Sequence, residues 1–260
     1  MSQNSKFFRI IIPTYNGGEF LPRMVETIRE QSCQDYHLII VDDISTDGTT
    51  PKIIKELKPH KIITMERKGY AAGARNEGMK YFTDDKYTLW FDDDDILIDV
   101  DALEKIKQCA IDNNYPDIIR FNFIKTALST KLRGRHHDRY PDPITPEDIC
   151  KEIQWGMPWT KAVKSELCVE FPEELSVDDC FQHIMQCDVC ETAAVVHDDL
   201  YEWLVRDNST TTSKVNIRRD SGWYLEIGML MRKAEQMKHL WAKEACEMRI
   251  FWIKQRYLRR

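Results

Sequence analysis

Tyr87-Thr88-Leu89-Trp90-Phe91-Asp92-Asp93-Asp94-Asp95 is the stretch on which this chain turns. The largely apolar first half reads as a short strand, and four carboxylates stop it abruptly. Consecutive carboxylates repel one another, so the run is either a solvated acidic turn or the seat of a cation. Hard divalent ions prefer such oxygen ligands, and Mg²⁺ commonly takes one or two carboxylates together with substrate phosphates. The surroundings of the run favour the second alternative.

Other apolar runs also end in polar residues. Residues 7–12 form a strand-like run closed by Pro13-Thr14-Tyr15-Asn16, and residues 37–41 a second that stops at Asp42-Asp43. Residues 61–65 and 117–123 add two more strand candidates. Helical spacing fills the gaps: Phe20, Leu21, Met24, Val25 and Ile28 within 18–31, a segment after the Asp47-Gly48 turn with Pro51 in its first turn, an Ala-rich stretch at 71–82, and 99–112. Such alternation predicts βαβ units and an α/β fold, Rossmann-like, with a mostly parallel central sheet flanked by helices. In open sheets of this kind ligands bind beyond the carboxyl ends of the strands. The three polar clusters then converge on one edge.

Further along, residues 129–146 carry little periodicity and read as an exposed loop, short helices fall near 146–153 and 177–187, and one long helix is expected from about residue 221. The expected division is a main domain over 1–215, with a first half at about 1–125 and a second at about 126–215, followed by a C-terminal helical extension over 216–260.

The bulk numbers narrow the class. A 260-residue chain with 42% hydrophobic and 31% charged residues supports a real core and a soluble surface. A net charge of -6 argues against a protein built chiefly to coat nucleic acid. No signal-peptide pattern and no stretch of transmembrane length is visible, so a cytoplasmic location is expected, with peripheral contact at the inner membrane face open. The eight cysteines are irregularly placed and read as reduced thiols. Cys187 and Cys190 lack the second pair that a zinc site needs.

Individual residues suggest roles, each beside a plainer reading. Asp43 can accept hydrogen bonds from a ribose or a base N–H, although Asp is common at strand-to-turn junctions. Tyr15 can stack on a nucleobase or pack as a turn residue. Arg75 can reach a phosphate or shield the acidic run, or form an exposed ion pair. Asp178-Asp179 either complements a helix dipole or supplies a general base.

Taken together, these motifs resemble the family 2 glycosyltransferases. Ile11-Ile12-Pro13-Thr14-Tyr15-Asn16, Val41-Asp42-Asp43-Ile44-Ser45-Thr46-Asp47-Gly48-Thr49, Gly73-Ala74-Arg75-Asn76-Glu77-Gly78 and Phe91-Asp92-Asp93-Asp94-Asp95 stand in the family's order. So do Trp159-Thr160-Lys161, Val177-Asp178-Asp179-Cys180-Phe181 and Tyr201-Glu202-Trp203-Leu204-Val205-Arg206 with Ser209-Thr210. The resemblance implies a GT-A fold and inverting transfer of a sugar from a nucleotide-sugar, UDP-linked above all, to an acceptor hydroxyl. It implies that Pro13, Tyr15 and Asp43 hold the base, that Arg75 lies near the diphosphate, and that Asp92 and Asp93 flank the ribose and metal. Asp94 is then the metal ligand for Mn²⁺ or Mg²⁺, Asp179 the base with Asp178 beside it, and Trp159, Lys161 and Arg206 acceptor-side residues. Two departures stand out: Asp178 replaces a usual Glu, and four aspartates leave the register of the Asp-x-Asp signature open by one residue.

A glycan or lipid-linked saccharide is the expected acceptor, with the same chemistry on a nucleic-acid base hydroxyl as an alternative. The basic segment Lys131-Leu132-Arg133-Gly134-Arg135-His136-His137-Asp138-Arg139 either greets an anionic acceptor or is a solvated loop. The C-terminal mixture from Phe251 to Arg260 suits an interfacial helix at an anionic membrane or a helix packed on the domain. A sugar-phosphate nucleotidyltransferase and a non-catalytic GT-A-like binding module are the competing classes.

Overall fold

The computed structural model describes residues 5–127, 132–136, 141, 143–152, 156–175, 179–205 and 217–257. Its first half follows the sequence closely. β1 (Phe8–Thr14), β2 (Tyr36–Asp42), β3 (Lys61–Thr64) and β4 (Tyr87–Trp90) are mutually parallel in the order β3-β2-β1-β4. β1 is buried along its whole length because both of its faces are covered. Ile11, Ile39 and Val41 belong to one core with Ala72 and Ala74. Ile10, Ile12, Leu38 and Ile40 belong to another with Leu21, Met24, Val25 and Ile28. Those last four come from α1 (Leu21–Arg29), where their spacing builds one buried stripe.

α2 (Thr50–Leu57), α3 (Tyr70–Met79) and α4 (Ala102–Asp112) complete the crossovers. Gly78 lets α3 lie directly on β1, since a Cβ there would stand 2.6 Å from Ile11 Cγ2. Because these four strands run the same way, Thr14, Asp42 and Thr64 sit in register at a common edge. The residues after β4 emerge beside them.

The second half differs from expectation, and the sheet, of nine strands among the described residues, is mixed. β6 (Ile118–Ala127) pairs antiparallel with β8 (Lys161–Lys164) and parallel with β9 (Ala193–Val205), and β8 closes antiparallel on β4. β5 (Ile96–Leu97) pairs antiparallel with β9. Part of the expected 129–146 loop is a strand, β7 (Leu132–His136), lying antiparallel on the far half of β6. The rest of the basic segment lies outside the described residues.

α5 (Pro146–Lys151) opens with a capping box between Thr145 and Asp148. α6 (Asp179–Val189) follows, and the expected single C-terminal helix is two, α7 (Ile217–Ala234) and α8 (Leu240–Tyr257). Apolar spacing runs through the break because both helices bury residues in the same core, Leu230 and Ala234 from one, Ala242 and Cys246 from the other. The carboxylate of Asp188 on α6 accepts the backbone N–H groups of Lys238 and His239, each at 2.9 Å, and so caps the start of α8 from another helix. A buried ion pair between Arg249 and Glu226, at 2.8 Å, joins α8 to α7. Among the described residues no helix is long and apolar enough to cross a membrane.

Candidate active site

The loops that follow β1 and β2 are tied to each other. Asn16, at φ 54°, accepts hydrogen bonds on Oδ1 from the backbone of Thr46 (2.7 Å) and Asp47 (3.2 Å). Its own N–H donates to Ser45 Oγ at 2.9 Å. Thr14 reaches the other way, donating from Oγ1 to Asp93 Oδ2 at 2.5 Å. A Cβ on Gly17 would stand 1.9 Å from that same oxygen, so any side chain there would push the Asp93 carboxylate off Thr14. The clusters after β1, β2 and β4 therefore meet, as the alternation of elements predicted.

Asp43 is buried at this edge. Its N–H donates to Thr14 O at 2.9 Å, and Oδ1 accepts from Gly69 N at 2.7 Å, at the start of α3. Oδ2 lies 3.1 Å from Lys68 Nζ but receives no aligned hydrogen bond from any described residue. Pro13 sits in β1 opposite Val41. Tyr15 is 47% exposed, and the Lys68 ammonium lies over its ring, 2.8 Å from the centroid. Ile44, directly after Asp43, has φ 61°. A β-branched side chain in the left-handed region is strained, and such strain gathers at ligand sites.

The acidic run divides into distinct environments. Asp92 Oδ1 accepts from Arg75 Nη2 at 2.8 Å, Asp93 is held by Thr14, and Asp94 is half-buried beside them. Asp95 is fully buried and structural: Oδ2 accepts from the Tyr201 hydroxyl and Oδ1 from Leu204 N, both at 2.8 Å. The same Tyr201 oxygen accepts the Asp92 N–H at 3.1 Å. Burial, followed by the Asp92 and Asp94 charges, pushes the Asp95 carboxyl well above its ordinary range. The sequence left the register open; in the fold, Asp95 braces β9 while the three preceding carboxylates line the edge.

Arg75 joins the two halves. Its side chain is 5% exposed, with Nη1 3.6 Å from Asp179 Oδ1 at the start of α6 and the guanidinium 5.2 Å from the Phe171 ring centroid. Asn76, next on α3, clamps the same segment: Oδ1 accepts from Phe171 N at 2.8 Å and Nδ2 donates to Phe171 O at 2.9 Å.

The acceptor-side candidates lie deeper. Trp159 is buried, stacked on Tyr201 at 4.7 Å and edge-on to Phe123 at 4.8 Å. Lys161 is fully buried and donates to Gly156 O (2.8 Å), Met157 O (3.0 Å) and His183 Nδ1 (3.3 Å). Nε2 of His183 faces Ile149 O at 3.0 Å, so that nitrogen carries the proton and Nδ1 is the acceptor. Burial lowers the Lys161 ammonium to about 7. Trp159 thus backs Tyr201, the residue that holds Asp95, and Lys161 is tied to the 156–157 backbone and, through His183, to α6. Asp178 and Arg206 lie outside the described residues.

The sequence reading passed over Lys68, and it named Thr14 and Tyr201 only as members of motifs, without a role of their own. Lys68 could have been suspected from its place just before Gly69 and the α3 start, facing the Asp42-Asp43 turn. Nothing in sequence spacing couples Tyr201 to Asp95.

The profile described as glycosyl transferase family 2 matches residues 9–167, and the chain belongs to that family. Over 115 residues it is 36% identical to the poly(ribitol-phosphate) β-N-acetylglucosaminyltransferase TarP of Staphylococcus aureus, covering 42% of this chain and 35% of that protein. It is 31% identical over 106 residues to an Escherichia coli protein, the UDP-Glc:α-D-GlcNAc-diphosphoundecaprenol β-1,3-glucosyltransferase WfgD, covering 40% of this chain and 41% of the other. In both cases the match spans less than half of the relative's length. In fold the chain is similar to S. aureus TarS 1-349 in complex with UDP-GlcNAc, with a TM-score of 0.77, 18% identity, and coverage of 95% of this chain and 72% of that one. A mannosyltransferase of Pyrobaculum calidifontis in complex with GDP-Man and Mn²⁺ is similar at a TM-score of 0.65, 17% identity, and coverage of 96% and 70%.

Proposed function

We propose that this protein transfers a sugar, with inversion, from a UDP-sugar to a hydroxyl of a glycan or lipid-linked saccharide. The observation that carries the reading is Arg75, which touches Asp92 on the donor edge and Asp179 at the mouth of α6. One cation thus joins the carboxylates beside the diphosphate seat to the candidate base. The bound UDP-GlcNAc of the similar TarS fold supports the donor class. The names of TarP and WfgD support the acceptor class.

The base of the donor lies against Tyr15, its N–H directed at the orphan Oδ2 of Asp43, with Pro13 beneath. Arg75 faces the diphosphate. The acceptor oxygen forms a bond to the anomeric carbon as the bond from that carbon to the diphosphate oxygen breaks. Asp179 takes the acceptor's proton, and the nucleoside diphosphate departs. The developing negative charge on the leaving group is the main electrostatic demand, and the positive Arg75 guanidinium answers part of it.

The residues present also fit a divalent cation. Asp92, Asp93 and Asp94 are adjacent, half-buried hard-oxygen ligands at one strand end. Among the described residues no three His, Cys, Asp or Glu side chains are grouped to hold a metal alone, so an ion here would need donor phosphates or water for its remaining ligands. Asp94 would hold Mn²⁺ or Mg²⁺, which when bound supplies electrostatic stabilisation to the leaving diphosphate.

The test is a panel of UDP- and GDP-sugars incubated with saccharide and lipid-linked acceptors, read as released nucleoside diphosphate and as the anomeric configuration of the product. Release from a UDP-sugar with an inverted linkage is expected. A retained configuration would sink the single-displacement scheme, and pyrophosphate release from a nucleoside triphosphate and sugar phosphate would replace it with nucleotidyl transfer.

A further inference from the structure

The ammonium of Lys68 stands where a nucleobase would go. It lies 2.8 Å from the Tyr15 ring centroid, 3.1 Å from Asp43 Oδ2, and donates to the Asp43 carbonyl at 3.1 Å. The Tyr70 ring is 5.7 Å away on another side. Stacking takes up a whole ring face, so a base cannot use the face of Tyr15 on which the cation is seated. The ammonium also competes with a base N–H for Asp43 Oδ2, which it stands beside at 3.1 Å.

On this nucleotide-sugar reading of the site, we infer that Lys68 is a displaceable occupant of the base seat that makes the site select nucleoside diphosphates over nucleosides. The lysine leaves Tyr15 and Asp43 as the base enters, and its charge then pairs with the diphosphate. A nucleoside must displace the cation and offers it no new anion. A nucleoside diphosphate displaces the same cation and supplies one. The geometry suits such an exchange. Thr14, adjacent to Tyr15, is hydrogen-bonded to Asp93, so the base seat and the diphosphate edge are neighbours. The Lys68 side chain is one-third exposed and flexible, a strongly hydrated point charge rather than a fixed fork. Asp43 keeps its own place without the lysine, because Gly69 N–H holds Oδ1 at 2.7 Å and Asp43 N–H holds Thr14 O at 2.9 Å.

Titration calorimetry with uridine, UMP and UDP, and with guanosine and GDP as a second pair, tests this on the full chain. Wild type is compared with Lys68→Met and Lys68→Gln, which keep a stem without charge, and with Lys68→Arg. Thermal melting checks that each variant is folded. The expected result is tighter nucleoside binding and weaker diphosphate binding in both uncharged variants, so that the preference for diphosphate over nucleoside falls about tenfold. Lys68→Arg should retain most of the preference. Equal weakening of nucleoside and diphosphate, or a preference within about twofold of wild type, overturns the inference and leaves Lys68 a prop for Asp43. Wild-type protein that binds none of the five ligands would instead overturn the nucleotide-sugar reading itself.

Discussion

The Tyr201 hydroxyl donates to the buried Asp95 carboxylate at 2.8 Å while accepting the Asp92 N–H at 3.1 Å. One phenol therefore fixes both the first and the last residue of the acidic run. Asp95 is the cost of this arrangement, a carboxylate out of water beside like charges, stabilised by hydrogen bonds from Tyr201 and Leu204.

Removing that hydroxyl should be expensive. Tyr201→Phe keeps the stack on Trp159 but leaves Asp95 one donor short and the Asp92 N–H without its acceptor. A loss of about 1–3 kcal/mol in unfolding free energy is expected by urea titration. No measurable change would mean that the relay carries no stability.

Replacing the candidate base should separate binding from turnover. In Asp179→Asn, Arg75 still has Asp92, so donor affinity should change little while kcat falls roughly 10²–10⁴-fold. Undiminished turnover would move the proton acceptor elsewhere, with the neighbouring Asp178 the next residue to test.

Metal removal gives a third check. Excess chelator should abolish transfer, and added Mn²⁺ or Mg²⁺ should restore it; Asp94→Ala should lose that rescue. Full transfer with chelator present would take the ion out of the scheme.

Lys161 predicts a pH dependence of stability. Burial lowers its ammonium from 10.5 to about 7 in the fold. Between those values the unfolded chain binds more protons than the folded one, so this group makes stability rise with pH, and the cost of burying its charge is complete below about 7. The rise approaches about 1.4 kcal/mol per pH unit for one group. Urea unfolding of wild type at pH 7, 8 and 9 should steepen accordingly relative to Lys161→Met. Parallel curves would show that the ammonium is not the group responsible.

The first half was readable because its strands are buried on both faces and end in polar residues, so apolar run and carboxylate alternate plainly along the chain. The other half was not. β9 carries His197-Asp198-Asp199 in its middle, at a register shift against β6 around Asn122, and a polar bulge inside a strand looks like a turn. β5 is two residues long and exists through its pairing with β9. The break between α7 and α8 depends on Asp188, some fifty residues upstream, which no local periodicity reveals. Of the site, the carboxylates and Arg75 were legible as motifs. The burial of Trp159 and Lys161 was not, because both depend on packing against residues distant in sequence.

Asn76 has a consequence out of proportion to its chemistry. Its amide grips both backbone groups of Phe171, the residue under the Arg75 guanidinium. The segment carrying Phe171 is therefore pinned to α3 at the place where its ring meets the arginine. Loss of the Asn76 amide would thus slacken the support of Arg75 while leaving each charged group of the cluster in the chain.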